Sequence, residues 1–501
     1  MLSSPPSFRT LSFTFLALAF GMVLVFIGYA GAGGGRGGGV ETSDKSGGAP
    51  LTAMEMQHLL EKAEASIVKK VRTSLKSDLL DAHAHPITHA NKTSKMENSE
   101  EGSVENRQVT LDEVSAQIET DKKLYPHYLY PPLAHRNPRV YAGRQRIPDD
   151  DRKSAINTFF ADYVQLHNDI MEGKKERKFV VLGHYTEAGL GNLLPVMVST
   201  FLLAVMTDRA FLVDWPYQRP RQHFNGVEYM GYPDIKELME APAGIAWRYD
   251  ELKKLKSDTT LNIEGVEDSI ICNDPSKLSE TVLRVKTWDF FGPALFYHKQ
   301  YHDKLAAVFG DDWYGAMMRW VVRPIPSLQV EIDEFVAEKF AKNFVVGLQI
   351  RRKGSNKLSL KQENSFFTCA NNVARQQGVE DPYYFIAADN EQSRKDAEKQ
   401  YGDKAIFFSS TVSRSSTRGV QEGIIDLLLL AHCDDIIGSG GSTYGRTAAG
   451  YATVPPVMVM RGKELCIRQL SSLPCMYTPE SRQCLANKDF LVNYQDPYDL
   501  C

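Results

Sequence analysis

Two arginines, Arg351 and Arg352, close an apolar run at 344–350, and further along Gly438-Ser-Gly-Gly-Ser-Thr-Tyr-Gly445 follows a second apolar run and opens a helical pattern. Consecutive guanidiniums at a strand end suit a diphosphate, because each is a fixed fork of donors that stays charged at any biological pH. A Gly/Ser/Thr loop feeding a helix offers the same anion backbone N–H groups and the positive end of the helix dipole. Together these residues describe a nucleotide-diphosphate site. The alternative for each arginine is a structural ion pair with a neighbouring acid.

The elements that must position them alternate. An apolar run at 179–183, a loop from His184 to Gly191, an amphipathic helix at 193–207 and a second run at 210–214 form a βαβ unit. Asn192 stands as its N-cap and Pro195 in the first turn, where a missing N–H does no harm. Residues 234–326 read as mixed and mostly helical, with Trp288-Asp-Phe-Phe-Gly292 as a loop or turn. The second half gives strands at 344–350, 383–388, 405–408, 435–438 and 457–460, and helices at 360–377, 391–401, 421–433 and 443–452. Such alternation implies a parallel sheet covered on both faces, with ligands off the C-terminal ends of its strands. Arg351, Asp389, Ser409 and Ser439 all fall at those ends. The fold class expected is therefore α/β, with two Rossmann-like domains facing a cleft: 136–335 on the acceptor side and 336–465 on the donor side.

The chain of 501 residues is 43% hydrophobic and 24% charged, with a net charge of −4, and its Lys and Arg are spread along it. That balance argues against a nucleic-acid partner. Residues 11–30 are uncharged and apolar, long enough to cross a bilayer core of about 30 Å as a signal-anchor after a cytosolic tail at 1–10. A signal peptide cleaved near Ala30-Gly-Ala32 is the alternative, and both readings send the rest of the chain into the secretory pathway. Residues 31–135 read as a Gly/Ser-rich linker and stem, with a helical pattern from 51 to about 80 and the sequon Asn91-Lys92-Thr93. The stem leaves a homodimer open. His83, His85 and His89 lie in this stem without a carboxylate array, which disfavours a metal site. Seven cysteines occur. Cys466, Cys475 and Cys484 read as bridges tying down a tail at 466–501, recruiting Cys272 or Cys369, whereas Cys433 reads as a buried thiol.

Gly189-Leu-Gly-Asn192 with Ser199-Thr-Phe-Leu-Leu-Ala-Val-Met-Thr-Asp-Arg209, then Val346-Gly-Leu-Gln-Ile-Arg351, then Ser442-Thr-Tyr-Gly445, and a tail with Cys466, Cys475 and Cys484, resemble in order the motifs of the plant cell-wall (xyloglucan type) fucosyltransferases. The resemblance spans about 175–484. It implies a two-domain GT-B fold, a type II Golgi membrane enzyme with a lumenal catalytic part, and inverting transfer from GDP-fucose to a glycan or polysaccharide acceptor, without a metal or other cofactor. Carried onto this chain, Arg351 contacts the β-phosphate. Ser442, Thr443, Tyr444 and Gly445 supply backbone or hydroxyl donors to the diphosphate, and Gly189, Gly191 and Asn192 approach the donor from the other domain. Asp426 is placed against guanine or ribose, and Arg352 completes an Arg-Arg pair like that of the α1,6- and protein O-fucosyltransferases. Leu193 stands where the plant family usually has Arg, and Tyr444 where it has Phe.

The chemistry implied needs charge stabilisation at the departing diphosphate, which arginine can supply in place of a metal. Asp149-Asp-Asp151 reads as a solvated turn rather than a metal site. Asp289 is the candidate general base, ahead of the aromatic pair Phe290-Phe291 as a sugar floor; its alternative is a turn or cap role. His184 and Glu187 flank the glycine loop and are further candidates. The competing readings are a transferase of the same fold with another nucleotide sugar or a protein hydroxyl as acceptor, and a fold retained for glycan binding without catalysis.

Overall fold

The computed structural model describes residues 111–130, 149–183, 189–215, 222–224, 227–229, 233–248, 259–264, 270, 273–352, 360–408, 416–460 and 466–474, all within one compact unit. The apolar run at 11–30, Asn91, the stem histidines, His184, Glu187, Ser409, Cys272, Cys475 and Cys484 lie outside them. No helix among the described residues is long and apolar enough to cross a membrane.

The end of the expected stem belongs to the folded unit. Helix α1 (Leu111–Leu124) carries Asp121, 3% exposed, whose carboxylate receives Lys153 Nζ at 3.3 Å. Tyr128 just beyond it is 2% exposed. Lys153 lies on α2 (Asp150–Met171), which begins at the acidic run. Asp149 accepts the Arg152 N–H at 2.9 Å as N-cap, and Asp150 pairs with Lys153 at 3.1 Å. The run is a helix start, where acidic side chains complement the dipole, rather than a turn.

Strand β1 (Phe179–Leu182), helix α3 (Leu190–Met206) and strand β2 (Ala210–Val213) form the expected βαβ unit. The middle segment corrects the sequence reading: β3 (Thr260–Ile263) and β4 (Val282–Val285) join this sheet, giving the parallel order β2-β1-β4-β3. Each is a single short run, and β3 sits at the sheet edge with its first residue exposed, so neither carries a long apolar signature. Helices α4 (Gly292–Phe296), α5 (His302–Phe309), α6 (Trp313–Val321) and α7 (Pro326–Phe335) follow. Phe160 of α2 stacks on Trp320 of α6 at 4.7 Å between centroids. Nearly every side chain of α3 is buried, as expected of a helix apolar all round.

The second sheet contains β5 (Val345–Ile350), β6 (Tyr383–Ala388), β7 (Ala405–Ile406), β8 (Asp435–Ser439), β9 (Val457–Val459) and β10 (Cys466–Arg468). Helix α8 (Leu360–Gln376) connects β5 to β6, α9 (Glu391–Tyr401) connects β6 to β7, α10 (Thr417–Ala431) precedes β8, and α11 (Thr443–Ala452) connects β8 to β9. The order is β7-β6-β5-β8-β9-β10, parallel except for β10, which pairs antiparallel with β9. The cysteine tail therefore starts as the last strand of this sheet. Cys466 is disulfide-bonded to Cys369 of α8, and Cys433 is a buried thiol directed at Leu429 O.

Candidate functional site

In the second sheet the chain runs outward from β5 to β6 and β7, then returns to the other side of β5 as β8. A crevice opens where the direction reverses, off the C-terminal ends of β5 and β8, and that is where open α/β sheets take ligands. Arg351 follows β5 and the Ser439–Ser442 turn follows β8. They are fastened together: Ser439 Oγ donates to Gln349 O at 3.0 Å and accepts the Arg351 N–H at 3.0 Å. Gln349, 5% exposed, also accepts the Ser439 N–H at 3.4 Å through Oε1. A Cβ on Gly445 would stand 3.0 Å from that oxygen, so glycine there lets α11 lie close against β5. Gln349 escaped the sequence reading, although one amide inside Val-Val-Gly-Leu-Gln-Ile was the signal for it.

The first sheet has its own reversal between β1 and β4. The loop after β1 leads into α3, and Asp289 lies on the loop leaving β4. Helix α3 starts earlier than expected: Gly189 is its N-cap, Asn192 lies inside the first turn and Pro195 beyond it. This shift has a chemical use. Pro195 has no N–H for the carbonyl four residues back, which is that of Gly191, and Gly191 O instead accepts Thr447 Oγ1 of α11 at 2.8 Å. Asn192 Oδ1 accepts the Thr443 hydroxyl at 2.5 Å. A Cβ on Gly191 would meet Tyr444 N at 2.6 Å and Tyr444 Cα at 2.7 Å. The Gly189-Leu-Gly-Asn192 motif thus brings the start of α3 directly against the start of α11, and two positive helix ends converge at one place.

Several expected donors take definite partners. The Thr443 hydroxyl is held by Asn192 and the Tyr444 hydroxyl by Gly423 O, so both hydroxyls expected as donors are already engaged within the protein. Ser442 is 1% exposed, and its Oγ has no hydrogen-bond partner among the described residues. Arg352 fits the structural alternative: its Nη2 lies 3.3 Å from Asp396 Oδ2 of α9, and its N–H donates to Asp389 Oδ1 at 2.8 Å. Arg351, half-buried, has its backbone fixed by Ser439. Asp426 is 5% exposed within α10. Leu193, at the position of the plant family's usual Arg, is 1% exposed and so part of the core.

On the other side, Asp289 Oδ2 accepts the Thr287 hydroxyl at 2.9 Å, and its N–H donates to that hydroxyl at 3.1 Å. Burial holds its carboxyl above the usual carboxylate range, partly offset by hydrogen bonds from Thr287 and Trp288. A raised carboxyl is suited to accepting a proton. The expected aromatic floor is corrected: Phe290 and Phe291 are 2% and 0% exposed, core residues packed on α6, with Phe290 5.1 Å from Tyr314. Gly292 N–H donates to Ser199 Oγ at 2.9 Å, so Ser199 of the first motif pins this loop to α3.

The contact between the helix starts is testable. Gly191→Ala is expected to cost about 1–3 kcal/mol by overpacking and to weaken binding of a nucleoside-diphosphate probe, measured by denaturant midpoint and calorimetry. Gly423→Ala is the control, because its added Cβ would meet only Leu190 Cδ1 at 3.6 Å. Equal behaviour of the two variants would remove the close approach from the argument.

No family model matches the chain, and no curated protein matches it. Among solved structures it is similar to a mutant of FUT1 from Arabidopsis thaliana in complex with GDP, at 17% identity and a TM-score of 0.53, over 73% of this chain and 94% of that one. The fucosyltransferase NodZ from Bradyrhizobium follows at 15% identity and a TM-score of 0.39, over 59% of this chain and 99% of that one. POFUT1 in complex with GDP stands at 11% and 0.35, over 58% and 99%. The overlap with FUT1 assigns the fold, and the looser two add nothing to that.

Proposed function

We propose that this chain is a glycosyltransferase that moves fucose from GDP-fucose to a glycan hydroxyl, on galactose of a polysaccharide or glycoprotein, with inversion and without a metal. The observation that carries the reading is the meeting of two helix starts beside Arg351 at the reversal point of the second sheet. FUT1, whose fold this chain shares, was solved with GDP.

In the reaction, the acceptor oxygen attacks the anomeric carbon from the side opposite the diphosphate. The bond from that carbon to the phosphate oxygen breaks, and the electron pair leaves on GDP. Arg351 and the first-turn amides of α11 stabilise the charge that develops there. Asp289 takes the acceptor's proton. The Cys369–Cys466 bridge fits an oxidising compartment, and with the apolar run at 11–30 it supports a Golgi membrane location with the folded unit in the lumen. The buried Leu193 motivates the second reading, a glycan-binding relative without turnover.

The test is release of the nucleoside diphosphate by the full-length chain, GDP from GDP-fucose and GDP-mannose and UDP from UDP-galactose, with EDTA present and with a galactose-bearing acceptor. Turnover confined to GDP-fucose and indifferent to EDTA is expected. Use of another donor instead, or loss in EDTA, would overturn the corresponding part. GDP binding with no turnover of any donor would favour the second reading.

A further inference from the structure

Of the five tryptophans in the chain, Trp215, Trp247, Trp313 and Trp320 are 6%, 3%, 1% and 1% exposed, whereas Trp288 is 45% exposed. An indole left in water forgoes the burial that holds the other four in place. Its position is not arbitrary. Trp288 stands on the loop leaving the C-terminal end of β4, at the reversal point of the first sheet, immediately before Asp289. Trp288 also acts on the Asp289 carboxyl, favouring its ionised form, while nearly half of the residue remains in solvent. The loop around it is rigid at both ends: Lys286 N–H continues the ladder by donating to Ile263 O at 2.8 Å, and Gly292 is pinned to Ser199. Phe290 and Phe291, buried behind it, prevent the segment from lifting away.

We propose that Trp288 is the platform on which a pyranose ring of the acceptor stacks, and that its position next to Asp289 on the same loop sets that ring's hydroxyl beside the carboxylate. The inference rests on the transferase reading for the identity of the acceptor. The chemistry is general: an aromatic face carries partial negative charge and attracts the polarised C–H groups of a sugar's apolar side, while a neighbouring polar group selects orientation. A β-galactoside presents such a side because its axial hydroxyl leaves the opposite face as contiguous C–H. Trp288 replaces the Phe290-Phe291 pair as the sugar floor, and does so from the same loop.

Because the other four tryptophans are buried, acrylamide quenching of intrinsic fluorescence reports on Trp288, and Trp288→Phe should remove the quenchable component. The full-length chain is titrated, in a detergent without sugar headgroups, with lactose and a galactosylated glucan oligosaccharide, and with maltose as control. GDP release is followed on the same samples. Shielding by the galactosides and not by maltose is expected. Trp288→Ala should raise the acceptor KM about tenfold, and Trp288→Phe should fall between it and the wild type. Absence of shielding by either galactoside, or an unchanged acceptor KM in Trp288→Ala, would overturn the platform even if GDP-fucose is consumed normally. Shielding without any consumption of GDP-fucose would sink the transferase reading and leave the platform standing.

Discussion

Arg351→Ala is expected to slow GDP release from GDP-fucose by about 10²–10³-fold with no change in the thermal unfolding midpoint. The size follows from where charge appears. The departing diphosphate gains negative charge as the sugar carbon becomes cationic, and a donor already aimed at that oxygen needs no reorganisation at the moment of reaction. The root of Arg351 is held at the strand end, with its N–H on Ser439 Oγ and that hydroxyl on Gln349 O. Its neighbour provides the contrast. Arg352 lies against Asp396, and their side chains are 16% and 34% exposed. Losing such a partly exposed pair costs about 0–1 kcal/mol, so Arg352→Ala should lose far less turnover than Arg351→Ala. Arg351→Lys keeps the charge but not the fork of donors, and an intermediate rate is expected. Steady-state kinetics of the three variants decides the assignment. If Arg352→Ala were the more damaging, the roles of the two residues would have to be exchanged.

The parts of this arrangement legible in the sequence were those set by local periodicity. The second sheet reads out strand by strand except for β10, because the other strands are apolar runs that alternate with helical patterns, and β6, α9 and α11 keep their expected bounds. The first sheet reads only in its opening βαβ unit. β3 and β4 are short strands separated by irregular sequence, so nothing local says that β4 inserts beside β1. The resemblance to fucosyltransferases pointed to the correct fold, and the reversal point drew Arg351 and the Ser439–Gly445 turn together as expected. Sequence could not say which groups the motif residues would satisfy among themselves. Gly191 and Asn192 meet Tyr444 and Thr443 across a separation visible only after folding. Pro195 could be located, but that its missing N–H would leave Gly191 O for Thr447 depends on a helix starting three residues before the expected place.

Asp289→Asn is expected to lower the rate of transfer to acceptor by about 10²–10⁴-fold, the range for a positioned general base, while GDP release in the absence of acceptor persists. The separation of the two rates follows from the proposed role of Asp289, which acts on the acceptor's proton and not on the departing diphosphate. Its titration supplies a second, independent signature. Burial raises the carboxyl above its ordinary range, and the hydrogen bonds from Thr287 and Trp288 oppose that rise by favouring the ionised form. A base works ionised, so transfer should fall as pH drops through this raised value, placing the acid limb of kcat/KM above the usual carboxylate range. Thr287→Val removes one of the opposing hydrogen bonds, so the pKa should rise further and the acid limb should move to higher pH, whereas Asp289→Asn should abolish the limb. A pH–rate profile measured with saturating GDP-fucose tests all three. An acid limb that survives unchanged in Asp289→Asn would assign the proton to another group and reduce Asp289 to a residue that shapes the Trp288 loop.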